Sequence, residues 1–169
     1  MRAVVDTNVL VSGLLSPEGP PGMTINMIAG GDIHICYDAR MLAEYRTVLF
    51  RPDFNLSARS LDELLDQIIT SGEAIQAAPL FSRLPDRRDE PFLEVAVAGK
   101  VACLITGNRK HFPLSACHEV MVFTPSEVLE YYRGQHDRRG DRVKSPSEKY
   151  QSSRRTPRKN PSKSHGRQR

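Results

Sequence analysis

Short apolar runs alternate along the chain with longer segments in which apolar residues recur every three or four positions. The runs at residues 3–5, 33–37, 101–105 and 120–123 are bounded by polar or turn-forming residues, which is typical of buried strands. Helical patterns lie between these runs. Because alternating strands and helices favour a parallel sheet with helices on both faces, we predict an α/β fold, a three-layer α/β/α sandwich with a mostly parallel central sheet.

Capping residues, glycine and proline set the limits of the predicted helices. We predict helices over residues 8–15, 23–29, 38–50, 57–70, 92–98 and 124–132. Asp38 is the expected N-cap of the third helix. Thr124-Pro125-Ser126-Glu127 matches a capping box with proline at the first helical position. Proline, glycine and charge dominate residues 16–22 and 79–91, which we predict to be loops.

The charge of the chain is divided unevenly between its two parts. Residues 1–133 carry 12 Lys and Arg against 17 Asp and Glu, a net charge of −5. Residues 134–169 carry 12 against 3, a net charge of +9, and the two parts together give the +4 of the whole chain. No apolar period survives after residue 133. We therefore predict one domain over residues 1–133 and a disordered basic tail over residues 134–169.

Composition favours a soluble protein of the cytoplasm. No apolar run approaches the roughly 18 residues of a membrane span, and Asp6 interrupts the N-terminal apolar stretch, so we expect neither a membrane segment nor a signal peptide. The three cysteines are widely spaced and lie in apolar surroundings. We expect buried thiols in place of disulfides or a metal knuckle.

Two acidic residues lie where an ordinary core would not need them. Asp6 ends the first apolar run, and ligand sites in open α/β sheets lie at the carboxyl ends of strands. Both Asp6 and Asn8 could instead cap the following helix. Glu44 shares a helix face with Met41 and Tyr45, where a lone charge is costly unless it is paired or binds metal. The alternative is a glutamate at the edge of the stripe that reaches water or an arginine.

Further polar residues occur at the ends of other predicted elements. Asp86 and Asp89 precede the apolar helix that begins near Phe92, where a helix N-terminus stabilises carboxylates and one of them could be an ordinary cap. The turn at residues 106–108 follows a buried strand, as Asp6 does. Converging carboxylates would repel each other without a cation, and oxygen ligands suit Mg²⁺ or Mn²⁺. Such a site can support phosphodiester hydrolysis by metal-activated water.

Four blocks of the sequence, in order, resemble the toxin-like branch of the PIN-domain family. They are Val4–Ser12, Glu44–Pro52, Asp86–Leu93 and Leu104–Asn108. The resemblance covers roughly residues 1–132. It implies a metal-dependent endoribonuclease with one or two Mg²⁺ or Mn²⁺ ions and an RNA substrate. It also implies a toxin that pairs with a small antitoxin protein, and a homodimer.

Individual site residues follow from this resemblance by position. The implied metal-binding and catalytic carboxylates are Asp6, Glu44 and Asp89, with Asp86 as an accessory acid and Asn8 and Thr106 in supporting roles. Asn108 stands where many members of the family carry a fourth acid. Its amide oxygen can still bind a metal or a metal's water, but it brings no negative charge. The resemblance therefore leaves open whether the site binds a second ion.

Two other functions compete with the endoribonuclease. The first is an RNA-binding PIN-like module with weak or lost catalysis, in which the basic tail contacts phosphates; the expected contacts are Arg154, Arg155, Arg158 and Lys159. The second is a phosphatase of the haloacid dehalogenase type, which also begins with a strand ending in Asp. That chemistry needs a second Asp at position 8, where this chain has Asn.

Overall fold

A computed structural model describes residues 1–81, 83–117 and 120–139 of the protein, without the side chains of residues 136–139. The strands are β1 (Arg2–Val5), β2 (His34–Tyr37), β3 (Glu73–Ala74), β4 (Cys103–Ile105) and β5 (Val122–Phe123). The helices are α1 (Thr7–Leu15), α2 (Pro20–Ala29), α3 (Ala39–Leu49), α4 (Ala58–Ser71), α5 (Glu90–Ala98), α6 (Leu114–Cys117) and α7 (Pro125–Arg139). Single 3-10 turns occupy Pro52–Phe54, Arg87–Asp89 and Arg109–His111.

The five strands form one parallel sheet in the order β3-β2-β1-β4-β5. The predicted α/β class, with three layers and a mostly parallel sheet, is confirmed. The chain first builds outward from β1 to β3 and then returns to the other side of β1 with β4. The strand order therefore reverses between β1 and β4, and ligands of open α/β sheets bind at such a reversal.

The core forms around the sheet from the apolar faces of the helices. All of β4 and all but the first residue of β1 are buried, because helices cover the sheet. Helix α5 packs against β1, β2 and β4. Tyr45 on α3 and Phe92 on α5 are fully buried with ring centroids 6.2 Å apart, which fixes the two helices relative to each other.

Most predicted elements are present with small shifts at their ends. Asp38 caps α3, since its side chain accepts hydrogen bonds from the backbone N–H groups of Arg40 and Met41. The capping box of α7 is also confirmed, because Glu127 accepts from the N–H of Thr124 at 2.7 Å and the Thr124 hydroxyl accepts from the N–H of Glu127 at 3.3 Å.

Four elements differ from the prediction, two in their limits and two because they were not predicted. Helix α2 begins at Pro20, inside a predicted loop, because proline suits the first helical turn. The short elements β3 and α6 were not predicted, since neither carries a periodic apolar pattern. Helix α7 runs to Arg139, past the predicted end at Tyr132. Residues 140–169, which hold most of the predicted tail, lie outside the described residues.

Two expectations from composition can also be compared with the structure. Cys36, Cys103 and Cys117 are buried free thiols, as predicted. Across the described ranges, no helix is both long enough and apolar enough to span a membrane.

Candidate functional site

Asp6 lies at the reversal of strand order, directly after β1. It is 5% exposed. Its Oδ1 accepts a hydrogen bond from the backbone N–H of Asn8 at 3.1 Å, so it does cap α1. Its Oδ2 accepts from the Asn8 side-chain amide at 2.7 Å and from the Thr106 hydroxyl at 2.6 Å. The helix cap and the predicted convergence with residue 106 are therefore both observed.

The turn after β4 is tied to the turn after β1. Val5 pairs with Ile105 in the sheet, which brings the two turns to the same edge. Asn8 Oδ1 accepts a hydrogen bond from the backbone N–H of Gly107 at 2.9 Å. A Cβ atom at position 107 would lie 3.0 Å from that oxygen, so this close approach favours glycine. Asn8 thus holds both Asp6 and the second turn in place.

Glu44 enters the same region from α3. The Thr7 hydroxyl donates a hydrogen bond of 2.6 Å to Glu44 Oε1, and the side chain is half-buried. The neighbouring Tyr45 donates its hydroxyl proton to the carbonyl oxygen of Val5, which attaches α3 to the end of β1. Among the described residues Glu44 forms no ion pair with an arginine. Its partner is the neutral hydroxyl of Thr7.

Asp86 and Asp89 have different partners. Asp86 caps the 3-10 turn through the backbone N–H of Arg88 at 2.9 Å and forms an ion pair with the Arg88 guanidinium at 2.7 Å. Asp89 stands at the start of α5, and its Oδ2 lies 3.0 Å from Nδ1 of His111. That oxygen is buried and accepts no well-aligned hydrogen bond within the described part of the chain.

His111 is a site residue that the sequence interpretation missed. Its Nε2 lies 2.6 Å from the side-chain nitrogen of Asn108, and its Nδ1 faces Asp89. The amide nitrogen is a donor, so Nε2 is assigned as the acceptor and Nδ1 carries the proton toward Asp89. The available signal was a histidine three residues after Asn108, just beyond a strand end. Asn108 therefore directs its amide nitrogen to His111.

These residues border a cleft of about 410 Å³ between α3 and the start of α5. It is lined by Asn8, Ala43, Glu44, Thr47, Val48, Arg51, Asp86, Arg88, Asp89 and His111. Asp6 is joined to this cleft through Asn8. The structure thus brings the predicted residues of the domain together. The predicted tail contacts Arg154, Arg155, Arg158 and Lys159 lie outside the described residues.

The electrostatics of the cleft show which acids lack compensation. Burial raises the pKa of Asp6, against the hydrogen bonds from Thr106 and Asn8. Burial also raises the pKa of Asp89 to about 6; His111 opposes this shift, and Asp6, Asp86 and Glu44 add to it by repulsion. In contrast, the hydrogen bonds from Arg88 lower the pKa of Asp86 to about 2. Asp86 is neutralised by its neighbour, and Asp89 is not.

The donor set matches a hard divalent cation only in part. Carboxylate oxygens from Asp6, Glu44 and Asp89 are suitable ligands, and the charges of Asp6 and Glu44 repel that of Asp89. However, no three His, Cys, Asp or Glu residues within the described ranges lie close enough together to hold an ion directly. An ion held by these acids would therefore have to keep several of its own waters, as Mg²⁺ commonly does.

Comparison with known proteins accounts for this arrangement. Residues 2–110 match the family described as PIN domain. The chain belongs to the PIN-domain family. PIN domains are generally nucleases that act on RNA, commonly with the help of divalent metals.

A relative from Methanocaldococcus jannaschii is similar over most of this PIN domain protein. It is an uncharacterized protein, 26% identical over 145 residues, and the alignment covers 78% of this chain and 92% of the relative. No solved structure matches the chain.

Proposed function

We propose that the protein is a metal-dependent endoribonuclease that hydrolyses RNA phosphodiester bonds at the cleft. One observation carries the proposal: Asp6 and Glu44 repel the carboxylate of Asp89, which faces the imidazole of His111 where Asp86 has an arginine partner. Folding that places unneutralised acids together is costly. A cation that binds between them would offset this cost.

The residues of the chain have separate tasks in this proposal. Asp6, Glu44 and Asp89 hold Mg²⁺ or Mn²⁺. The bound ion supplies an activated water and neutralises charge that develops on the phosphate. Asn8 and Thr106 fix both oxygens of Asp6.

The remaining contacts orient the other two acids and the amide. Thr7 orients Glu44, and His111 faces Asp89. Asn108 uses its nitrogen on His111, so its oxygen is the atom left for the metal or its water. Cleavage in this proposal requires one metal ion, and binding of a second ion would depend on the amide oxygen of Asn108.

RNA cleavage by the full chain tests the proposal. Activity should require Mg²⁺ or Mn²⁺, disappear with a chelator and return with added metal. Asp6→Asn should lower the rate by about 100-fold or more, as loss of a group central to transition-state charge does, while circular dichroism stays unchanged. Arg59→Ala, in an exposed pair on α4, is the matched control. Cleavage that persists in chelator, or in Asp6→Asn, would contradict the mechanism.

The biological role is a further part of the proposal and rests on the resemblance of the chain to the toxin-like branch of the family. We propose that the protein acts in the cytoplasm as the toxin of a toxin–antitoxin pair, is neutralised by a small antitoxin protein, and forms a homodimer. Induced expression should arrest growth, and Asp6→Asn should abolish the arrest. Normal growth with soluble, RNA-cleaving protein would remove the toxin role and leave the nuclease. Light scattering checks the dimer.

A second function is favoured by one observation: within the described ranges, no three His, Cys, Asp or Glu side chains lie close enough together to hold an ion directly. In an RNA-binding module with weak or lost catalysis, the cleft acids would no longer support cleavage, and the basic tail would supply the affinity for RNA. RNA binding that falls steeply with salt, without cleavage under any divalent metal, would support this alternative.

A further inference from the structure

Arg88 lies at the edge of the cleft and makes three side-chain contacts to Asp86. Its Nε lies 3.2 Å from both oxygens of Asp86, and its Nη2 lies 2.7 Å from Oδ2. Asp86 is itself held by the backbone N–H of Arg88 at 2.9 Å. The guanidinium therefore has a defined position, although its side chain is 85% exposed.

This geometry leaves part of the guanidinium available for a ligand. An arginine has five N–H donors, and those on Nε and one on Nη2 are directed at Asp86. The remaining donors on Nη1 and Nη2 have no partner within the described part of the chain, and Arg88 lines the cleft. Planar forks of this kind suit phosphate oxygens.

Arg51 supplies a second cation on the side of the cleft formed by α3. It follows Phe50, the C-cap of α3, is exposed, and lines the same cleft as Arg88. It has no ion-pair partner among the described residues. Its position next to Pro52 fixes the backbone at this point, since the 3-10 turn begins there.

Local cations matter here because the body of the protein repels nucleic acid. Residues 1–133 carry a net charge of −5, and the cleft contributes Glu44, Asp86 and Asp89 to it. RNA must bring its phosphates close to these acids for the proposed cleavage. Phosphate contacts by Lys and Arg supply most of the affinity in such complexes.

We propose that Arg88 and Arg51 form a phosphate-binding pair at the cleft, which holds the RNA backbone beside the bond to be cleaved. Asp86 is then a positioning residue that orients Arg88, and it does not bind the metal. The inference rests on the proposed nuclease function. It adds a substrate site to the acids, with the phosphate backbone of single-stranded RNA as the ligand.

RNA affinity of the full chain, measured in chelator with a short single-stranded RNA, tests the pair without cleavage. Arg88→Ala and Arg51→Ala should each weaken binding by about 3- to 10-fold near 0.15 M salt. Each should also reduce the slope of log affinity against log salt by about 0.7. The control Arg59→Ala removes an exposed cation that is paired with Glu63 on α4 and does not line the cleft. Its affinity and slope should match those of the wild type.

Asp86→Asn separates a positioning role from a simple charge effect. Removing a negative charge near RNA should strengthen binding if Asp86 only repels phosphate. If Asp86 orients Arg88, binding should instead weaken by about 2- to 5-fold. The double variant Asp86→Asn with Arg88→Ala should then bind no more weakly than Arg88→Ala alone.

The outcomes distinguish this inference from the nuclease proposal. Wild-type affinity and salt slope in both arginine variants would overturn the phosphate-binding pair even if the protein cleaves RNA. Tighter binding by Asp86→Asn would overturn the positioning role of Asp86. A metal requirement that shifts in Asp86→Asn with unchanged RNA affinity would instead make Asp86 a metal ligand. Weaker RNA binding by the arginine variants, together with no RNA cleavage by the wild type, would support the phosphate-binding pair and reject the nuclease function.

Discussion

Two groups of acidic residues lie in neighbouring parts of this protein, and their partners differ. Glu90 and Glu94 on α5 are 6% and 3% exposed, close to the 5% of Asp6 in the cleft. Asp89, at the start of the same helix, belongs to the cleft group with Asp6 and Glu44. The comparison shows that burial alone does not identify a functional acid.

The acids of α5 are neutralised within the chain. Glu90 accepts a hydrogen bond from Arg83 at 2.8 Å, and Glu94 pairs with Arg40 at 2.7 Å. Glu94 also accepts from the backbone N–H of Leu80 at 3.2 Å. These contacts attach the segment before the 3-10 turn, and the N-terminus of α3, to α5. Their role is to hold the elements that deliver Glu44 and Asp89.

The acids of the cleft are held by neutral donors instead. Hydroxyl and amide groups of Thr7, Asn8 and Thr106 fix Glu44 and Asp6 without cancelling their charge. Only the imidazole of His111 faces Asp89. A carboxylate that is oriented but not neutralised is available to a cation, and this is the difference between the two groups.

Removing one acid from the α5 group should give the largest change in stability. Glu94→Gln removes the more deeply buried of the two acids that pair with Arg40, which keeps its contact to Asp38, so the free energy of unfolding should fall by about 2 kcal/mol. This is less than the 3–5 kcal/mol (roughly) of fully buried pairs, because Arg40 is half-exposed. Urea unfolding of metal-free protein measures it. Glu44→Gln is the matched control and should lose less than about 0.5 kcal/mol; equal losses in both variants would remove the distinction.

Removing an acid from the cleft group should have the opposite sign. Folding raises the pKa of Asp89 from 3.8 to about 6, so the folded state binds the proton more tightly than the unfolded state. The stability that this group contributes is present below pH 3.8 and is lost as the pH rises through about 6. In chelator, Asp89→Asn should match the wild type near pH 4 and be more stable by about 1 to 2 kcal/mol at pH 8.

Thermal unfolding at several pH values checks this sign. A variant that is less stable than the wild type at pH 8 would mean that Asp89 is already compensated in the folded protein. Added Mg²⁺ should stabilise the wild type at pH 8 and have a smaller effect on Asp89→Asn, because only the wild type keeps the full ligand set.

The smallest effect should come from an acid outside both groups. Glu63 forms an exposed pair with Arg59 on α4, at 66% and 88% side-chain exposure. Glu63→Gln should change the free energy of unfolding by less than about 0.5 kcal/mol, because water and salt screen such pairs. A larger loss in the same urea experiment would show that exposure does not separate the three kinds of acid.

Periodicity in the sequence was enough to predict the fold wherever an element buries a regular face. The position of α4 and the caps of α3 and α7 were predicted directly from residue types. The strand β3 has two exposed residues and exists because it pairs with Cys36 and Tyr37 of β2. No local pattern can reveal an element that is defined by such a tertiary contact.

The same limit explains which parts of the site were predictable. Asp6 and Thr106 could be placed together because polar residues after neighbouring parallel strands meet at one edge. The approach of His111 to Asp89 depends on the packing of two turns that are 22 positions apart. The pairing of Asp86 with Arg88 was hidden because the spacing of Asp86 and Asp89 indicated two similar acids. Only the folded structure shows that Asp86 is neutralised by Arg88.

The affinity of the full chain for Mn²⁺, measured by titration calorimetry at pH 8, tests most directly whether the cleft acids form a cation site. The wild type should bind, and Glu44→Gln should bind at least about 10-fold more weakly. Glu94→Gln, kept folded at low temperature and checked by circular dichroism, should bind like the wild type. Equal binding by the wild type and Glu44→Gln, or a loss in Glu94→Gln alone, would contradict the assignment of the cleft acids to the metal.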